Sequence, residues 1–438
     1  MARRHVLIGS GPAAVSAAEA IRSEDLAAEI TMVTADPHGY YSRPGLAYYL
    51  AKEVPKDGLS PFTSRDFARL GVRFVSQRVA KISPAAHLVT LANGDDLPYD
   101  RLLIATGSQA IPLGVRGVEL DGVVKLDDMQ DARNLIDRSR HAKEAVVVGG
   151  GITALEIAEG LRARGVHVHY LMRKERYWGS VLSEAESRVV EDGLRSGGVQ
   201  IHYFTEVAQI LGKDGKVTAV ETEGAEAIHA DLVAVAIGVL PKRQLGESAG
   251  LECGRGILVD EFLRASEPDV YAAGDVAEVR ARQGGKSPLE VLWNTAVAKG
   301  RIAGLNMAAE PAHPYIQSVP LNVTRLAGHK IAIMGTVGNG KDEDLRGIAR
   351  GDSETWRQLG DAAIVEHEGK DARVRLALAE RTIAGAIVMG DQTLSFPLQE
   401  IIASRVDVGA LAERLRQDKA PVAELIESFW REWKAGRA

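Results

Sequence analysis

Val6-Leu7-Ile8-Gly9-Ser10-Gly11-Pro12-Ala13-Ala14 decides the fold. The three apolar residues read as a short buried strand, and 12–22 read as an alanine-rich helix. Gly9 permits the tight turn between them. Gly11 lets the backbone approach a pyrophosphate at the helix N-terminus, and the small Ala14 allows close helix–strand packing. Taken alone, the pattern also fits an ordinary turn before a helix. It recurs, however: Ala145-Val146-Val147-Val148 runs into Gly149-Gly150-Gly151-Ile152-Thr153-Ala154 and a helical stretch over 152–163. Two such turns, 140 residues apart, predict two dinucleotide sites.

Working outward, Ile30–Val33, Asp100–Ala105 and Val166–Leu171 read as further strands. Strands alternating with helices predict parallel sheets built from βαβ units. After the second strand of the first unit comes Asp36, 22 residues beyond Ala14; it is placed to bind a ribose hydroxyl, or is a solvated loop acid. At the same place in the second unit stand Met172, Arg173 and Lys174, with no carboxylate. Two cations there favour the 2′-phosphate of NADPH over NADH, unless they are only a solvated loop. Further on, 337–362 reads as a long Gly- and Asp-rich loop or insertion, 372–390 as an antiparallel hairpin, and 409–434 as helices with one packed face.

Composition narrows the function. The 438 residues suggest about three domains at ~150 residues each. A net charge of −6 argues against a nucleic-acid partner. No apolar run approaches the ~20 residues of a membrane helix, so a cytoplasmic location is expected. The single cysteine, Cys253, excludes an internal disulfide and a redox dithiol, and its surroundings predict an inert thiol. No H-x-x-x-H pattern or Cys/His pairing points to a metal, and His38, His313 and His329 read as loop or packing residues.

Three further stretches carry a resemblance: Ala105-Thr106-Gly107-Ser108, Ala236-Ile237-Gly238-Val239-Leu240-Pro241, and Tyr271-Ala272-Ala273-Gly274-Asp275-Val276-Ala277. With the two glycine turns, their order and spacing resemble the pyridine-nucleotide–disulfide oxidoreductase superfamily over most of residues 1–335. The resemblance implies an α/β fold of two Rossmann-like domains, the NAD(P) domain inserted in the FAD domain, plus an α+β C-terminal interface domain. The implied divisions are 1–114 and 241–315 for FAD, 115–240 for NAD(P), and 316–438 for the interface domain. It also implies flavin contacts at Arg43, Pro44, Val79, Trp293 and Ala296, with Asp275 holding the ribityl hydroxyls or capping a helix over 276–280. Glu156 is implied near the flavin–nicotinamide contact, although a surface helix acid is the competing reading. Trp293 is read either against the flavin ring or as a plain core residue.

The departures from that family narrow the activity. Where some members carry a reactive Cys, this chain has Pro44, and no Cys pair exists for a disulfide step. Arg43-Pro44 resembles reductases of ferredoxins and rubredoxins and the flavin part of nitrite reductases. Tyr48 stands where Rieske-type ferredoxin reductases carry a Lys near the flavin; Tyr48 is read beside the flavin or as a packed residue. A nicotinamide-stacking Trp of some ferredoxin reductases would fall near Asn322. The expectation is an FAD-dependent oxidoreductase using NADPH or NADH and passing electrons to a small carrier protein. The alternatives are a quinone or oxygen reductase, or a flavoprotein subunit docked in a larger complex through the C-terminal region that holds Trp430 and Trp433. Interface domains of this kind commonly pair subunits, which makes a homodimer an implied assembly.

Overall fold

The computed structural model describes residues 2–281, 287–338, 347–369, 371–417 and 420–436. Five parallel strands form the first sheet, in the order Val270–Ala272, Arg101–Ile104, Arg4–Ile8, Glu29–Thr34, Val72–Ser76. Leu7, Met32, Leu102 and Ala272 are fully buried, as expected of central parallel strands covered on both faces. One cover is the helix Pro12–Glu24, which packs closely on the helix Trp293–Ala308. That approach requires glycine: a Cβ at Gly300 would collide with the carbonyl of Ala13, and one at Gly304 would lie 2.5 Å from that of Ala17.

The second parallel sheet repeats the plan in the order Val199–His202, His167–Leu171, Glu144–Val148, Leu232–Val235, Val123–Val124. Its strands come from a continuous stretch of chain lying between strands of the first sheet, so this unit is an insertion in the first. A three-stranded sheet covers one of its faces, formed by Val207–Lys213, Lys216–Thr222 and Ala227–His229.

The third sheet is antiparallel, in the order Leu321–Leu326, His329–Gly335, Ile383–Gly390, Ala372–Leu378, Ala363–Glu368. The helices Ser395–Ala403, Gly409–Leu415 and Val422–Ala435 bury Leu398, Ile401, Leu411, Leu415 and Ile426 against it. The hairpin expected over 372–390 and the helices expected over 409–434 are therefore present. Trp430 does not project from the last helix; its indole N–H donates to Glu400 at 2.6 Å. Part of the loop expected over 337–362, residues 339–346, lies outside the described residues. The remainder is stitched into the fold, and Trp356 is fully buried against Trp178.

An arginine ties this sheet to the second unit. Arg375, 7% exposed, pairs with Glu186, 1% exposed, at 3.0 Å. Its other guanidinium nitrogens donate to the carbonyls of Val337 at 2.7 Å and Val181 at 2.6 Å. A buried ion pair of this kind is sustained only because its remaining donors are also satisfied.

Candidate functional site

The strand Arg4–Ile8 delivers Gly9 at φ 119°, where a side chain would run into the carbonyl of Ala105. Gly9 N–H donates to Val33 at 2.8 Å and closes the turn onto the neighbouring strand. Gly11 precedes the helix with extended backbone and no side-chain cap, so the first helical N–H groups are left for a ligand. A Cβ at Gly11 would meet nothing within 4 Å, so the approach to the helix N-terminus is open. Ala14 is fully buried and takes no part in the cleft wall.

From this turn a cleft of about 1100 Å³ runs between the first sheet, the inserted unit and the antiparallel sheet. Gly9, Gly11, Pro12, Ala13 and Asp36 line one end, with Val79. The Asp36 carboxylate accepts from His38 N–H at 2.9 Å and from the Tyr41 hydroxyl at 2.8 Å, which holds it in the wall. Beside it, His38 Nε2 is buried without a hydrogen-bond partner, and His38 also lines the cleft. Arg43, Pro44, Ala105, Thr106 and Gly107 also line the cleft, with Gly274 and Asp275. Asp275 accepts from the Ser108 hydroxyl at 2.7 Å. It caps no helix: a short 3₁₀ turn over Gly274–Val276 leads directly into the strand Ala277–Val279. The helix considered for 276–280 is absent because the chain there pairs with Ile257–Val259 instead.

Trp293 and Ala296, at the start of the helix Trp293–Ala308, complete this wall. The indole of Trp293 stacks on Tyr40, with ring centroids 6.0 Å apart at 26°. These residues fit FAD. The cleft takes in an uncapped helix N-terminus, a carboxylate, Asp275, for the hydroxyls of a polyol, and, beside Asp36, a histidine with an unpartnered buried nitrogen.

Tyr48, Ile152, Thr153 and Glu156 line the end of the cleft formed by the inserted unit. Burial and the neighbouring Glu159 push the Glu156 carboxyl up to about 8, so it is mainly protonated at neutral pH. Tyr48 is raised by burial and by Glu156, and the Arg325 guanidinium lies 5.7 Å from its ring centroid. A second turn mirrors the first: Gly149 has φ 147°, and a side chain there would meet the carbonyl of Ala236.

Unlike Gly11, Gly151 is covered. The segment 347–353 lies across it, with a Gly151 Cβ position only 2.8 Å from Ala349 Cβ. Backbone bonds hold that segment in place. Val239 N–H donates to Ile348 at 2.8 Å, Gly351 N–H to Val291 at 3.0 Å, and Val291 N–H to Asp352 at 3.0 Å. Gly238 borders the small space beneath Ala349, together with Gly151, Thr153 and Arg350. Ile237 packs toward the apolar cluster of the inserted unit and lines neither space. Arg173 and Lys174 are exposed on the loop after the strand His167–Leu171 and do not line the cleft. Asn322 donates its amide to the carbonyl of Gly351 at 2.8 Å, which ties the segment to the antiparallel sheet.

Sequence reasoning missed a charged group in the cleft wall. Asp127, 5% exposed, pairs with Arg350, and Lys125 and Lys242 stand nearby. Burial pushes the Asp127 carboxyl up, but Arg350 and Arg43 hold it below the usual range. Burial and Arg43 lower Lys242. Neither Asp127 nor Arg350 sits in a recognisable motif, and only the fold brings positions 127 and 350 together. Cys253 lies outside the cleft wall, its thiol raised by burial and Glu247, in line with the inert thiol expected where no base or cation cluster activates it. Among the described residues no helix is long and apolar enough to cross a membrane.

Comparison with known proteins agrees with this geometry. Residues 3–300 match the family described as pyridine nucleotide-disulphide oxidoreductase. The ferredoxin–NAD(+) reductase component of the biphenyl dioxygenase system of Paraburkholderia xenovorans is 32% identical over 355 residues, 81% of this chain and 85% of that protein. The NADH-dependent phenylglyoxylate dehydrogenase subunit epsilon of Aromatoleum evansii is 30% identical over 363 residues, 81% of this chain and 84% of that one. Among solved structures, the covalent putidaredoxin reductase–putidaredoxin complex superposes with a TM-score of 0.83 at 23% identity, covering 97% of this chain and 98% of that one, and so shares the fold.

Proposed function

This chain belongs to the pyridine nucleotide-disulphide oxidoreductase family, and from that premise we propose that it is an FAD-dependent NAD(P)H oxidoreductase passing electrons to a small electron-carrier protein. One observation carries the reading: one cleft runs from the first glycine turn to Ile152, Thr153 and Glu156 of the helix that follows the second, and no cysteine lines it. The chemistry FAD supplies when bound is acceptance of a hydride from a nicotinamide and release of the electrons singly to an acceptor. With no thiol beside the cleft, the acceptor is external. Relatives named as ferredoxin and rubredoxin reductases support a carrier protein in that place.

The chain's own residues bind and orient. Gly9 and Gly11 give a pyrophosphate access to helical N–H groups, Asp36 offers acceptors to a ribose, and Asp275 offers them to a polyol. Glu156, mainly neutral, can donate a hydrogen bond at the nicotinamide end without placing a negative charge there. Arg173 and Lys174, without a carboxylate beside the strand end, support NADPH as the preferred donor.

The segment over Gly151 favours a second reading, a flavoprotein subunit of a larger complex, in which the second turn is uncovered only on assembly. Anaerobic reduction of the purified yellow protein, with NADPH and NADH compared, tests both. Rapid bleaching of the flavin by either nucleotide is the result expected. FAD that neither nucleotide reduces would overturn the free-standing enzyme and leave the docked subunit.

A further inference from the structure

The strand His167–Leu171 places His167 and His169 on one face, because side chains two residues apart in a strand point the same way. Glu144, paired in register with His167 on the adjacent strand, reaches the same spot. Its Oε2 lies 3.1 Å from His167 Nδ1 and 3.4 Å from His169 Nε2. All three donor atoms fall within 4.8 Å of one another. None of the three residues lines the cleft.

We propose that Glu144, His167 and His169 form a binding site for a divalent transition ion, with Zn2+ the best match. Around a tetrahedral zinc with ligand bonds near 2.0–2.1 Å, neighbouring donors stand about 3.3 Å apart. The two measured separations bracket that edge. A second observation is the burial of Glu144 Oε2, which has only the two ring nitrogens facing it. A third is the outer contact, His169 Nδ1 to His202 Nε2 at 3.0 Å. Either nitrogen can be the donor in that contact; in the tautomer whose Nδ1 donates to His202, His169 Nε2 turns a lone pair toward the carboxylate and a cation can sit between the two acceptors. His167 is half exposed, which leaves one side of the site open to water as the fourth ligand. Imidazole and carboxylate together suit zinc better than magnesium or calcium.

The test uses tag-free full-length protein stripped with a chelator, titrated with Zn2+ against a chromogenic zinc indicator. Co2+ serves as a spectroscopic probe of the coordination. One equivalent of Zn2+ per chain and the intense visible bands of tetrahedral Co2+ are expected. His169→Ala should weaken zinc binding at least about 100-fold, and His202→Ala, which removes only the outer contact, about 10-fold. His167→Ala alters a half-exposed side chain and keeps the test open if His169→Ala fails to fold. No stoichiometric Zn2+ in the native chain, or affinity unchanged in His167→Ala, overturns the proposal and leaves protons alone between the rings and the carboxylate.

Discussion

Ala349 Cβ stands 2.8 Å from where a Cβ on Gly151 would lie. The glycine that would admit a pyrophosphate in the second turn is thus packed against another part of its own chain. A nucleotide reaching the N-terminus of the helix Ile152–Arg162 must displace that contact. Val239 and Ile348 pair across an antiparallel bridge beside it, at a separation a disulfide can span. Oxidised Val239→Cys/Ile348→Cys protein should be reduced by NADPH or NADH at least about tenfold more slowly than the wild type, as expected when a site must open to bind. Dithionite should reduce both equally, and a phosphine reductant should restore the nucleotide rate. Equal nucleotide rates in locked and unlocked protein would show that the segment is no obstacle.

Glu156 gives a pH dependence with a definite sign. Its folded-state value of about 8 lies above the ordinary 4.5, so the native state holds a proton that the unfolded chain has lost. Its contribution to stability is intact below the ordinary value and declines as pH rises from there to about 8. Glu156→Gln should flatten that part of the profile of melting temperature against pH. If the neutral carboxyl also serves the nicotinamide end, wild-type flavin reduction should fall about tenfold per pH unit above the inflection, and the Gln variant should not.

The proposed preference for NADPH is testable at Arg173. Arg173→Glu should reduce kcat/KM for NADPH relative to NADH by about tenfold or more, since one phosphate contact with a cation is replaced by repulsion. A ratio that stays constant would mean that the exposed loop does not meet the 2′-position.

Asp275 offers a test of the first site. Asp275→Ala removes a carboxylate acceptor from the cleft wall and also leaves the Ser108 hydroxyl without its partner at 2.7 Å. The purified protein should retain a markedly smaller fraction of FAD, measured as the ratio of absorbance at 450 nm to that at 280 nm for the loss of about one to two charge-assisted bonds. Full FAD occupancy would place the polyol elsewhere.

Arg375 and Glu186 test how the antiparallel sheet is fastened. Glu186→Ala leaves a guanidinium buried beside the carbonyls of Val337 and Val181, without its carboxylate. A loss of about 3–5 kcal/mol is expected from denaturant melts. Replacing both partners with apolar residues should cost much less.

The glycine turns, the alternation of strand and helix, and the Ala105–Ser108 and Tyr271–Ala277 stretches were legible because each is a local rule. A turn that requires positive φ, or a backbone that must approach a ligand, selects glycine wherever it occurs, and the same short pattern therefore appears twice. The lack of an internal dithiol was legible from composition, since one cysteine cannot make a pair. Tertiary structure alone decided what depends on residues far apart in the chain. Ala349 over Gly151, Arg350 against Asp127 and Arg375 against Glu186 each join separate sheets or their connecting segments. The protonation of Glu156 came from burial, which the residues around it in sequence do not reveal. The histidine cluster escaped a search for helical spacing because its two histidines are spaced for a strand, and Glu144 reaches them only through parallel pairing. Local backbone geometry is written in neighbouring residues, whereas packing, charge pairing and desolvation arise only when the sheets close on one another.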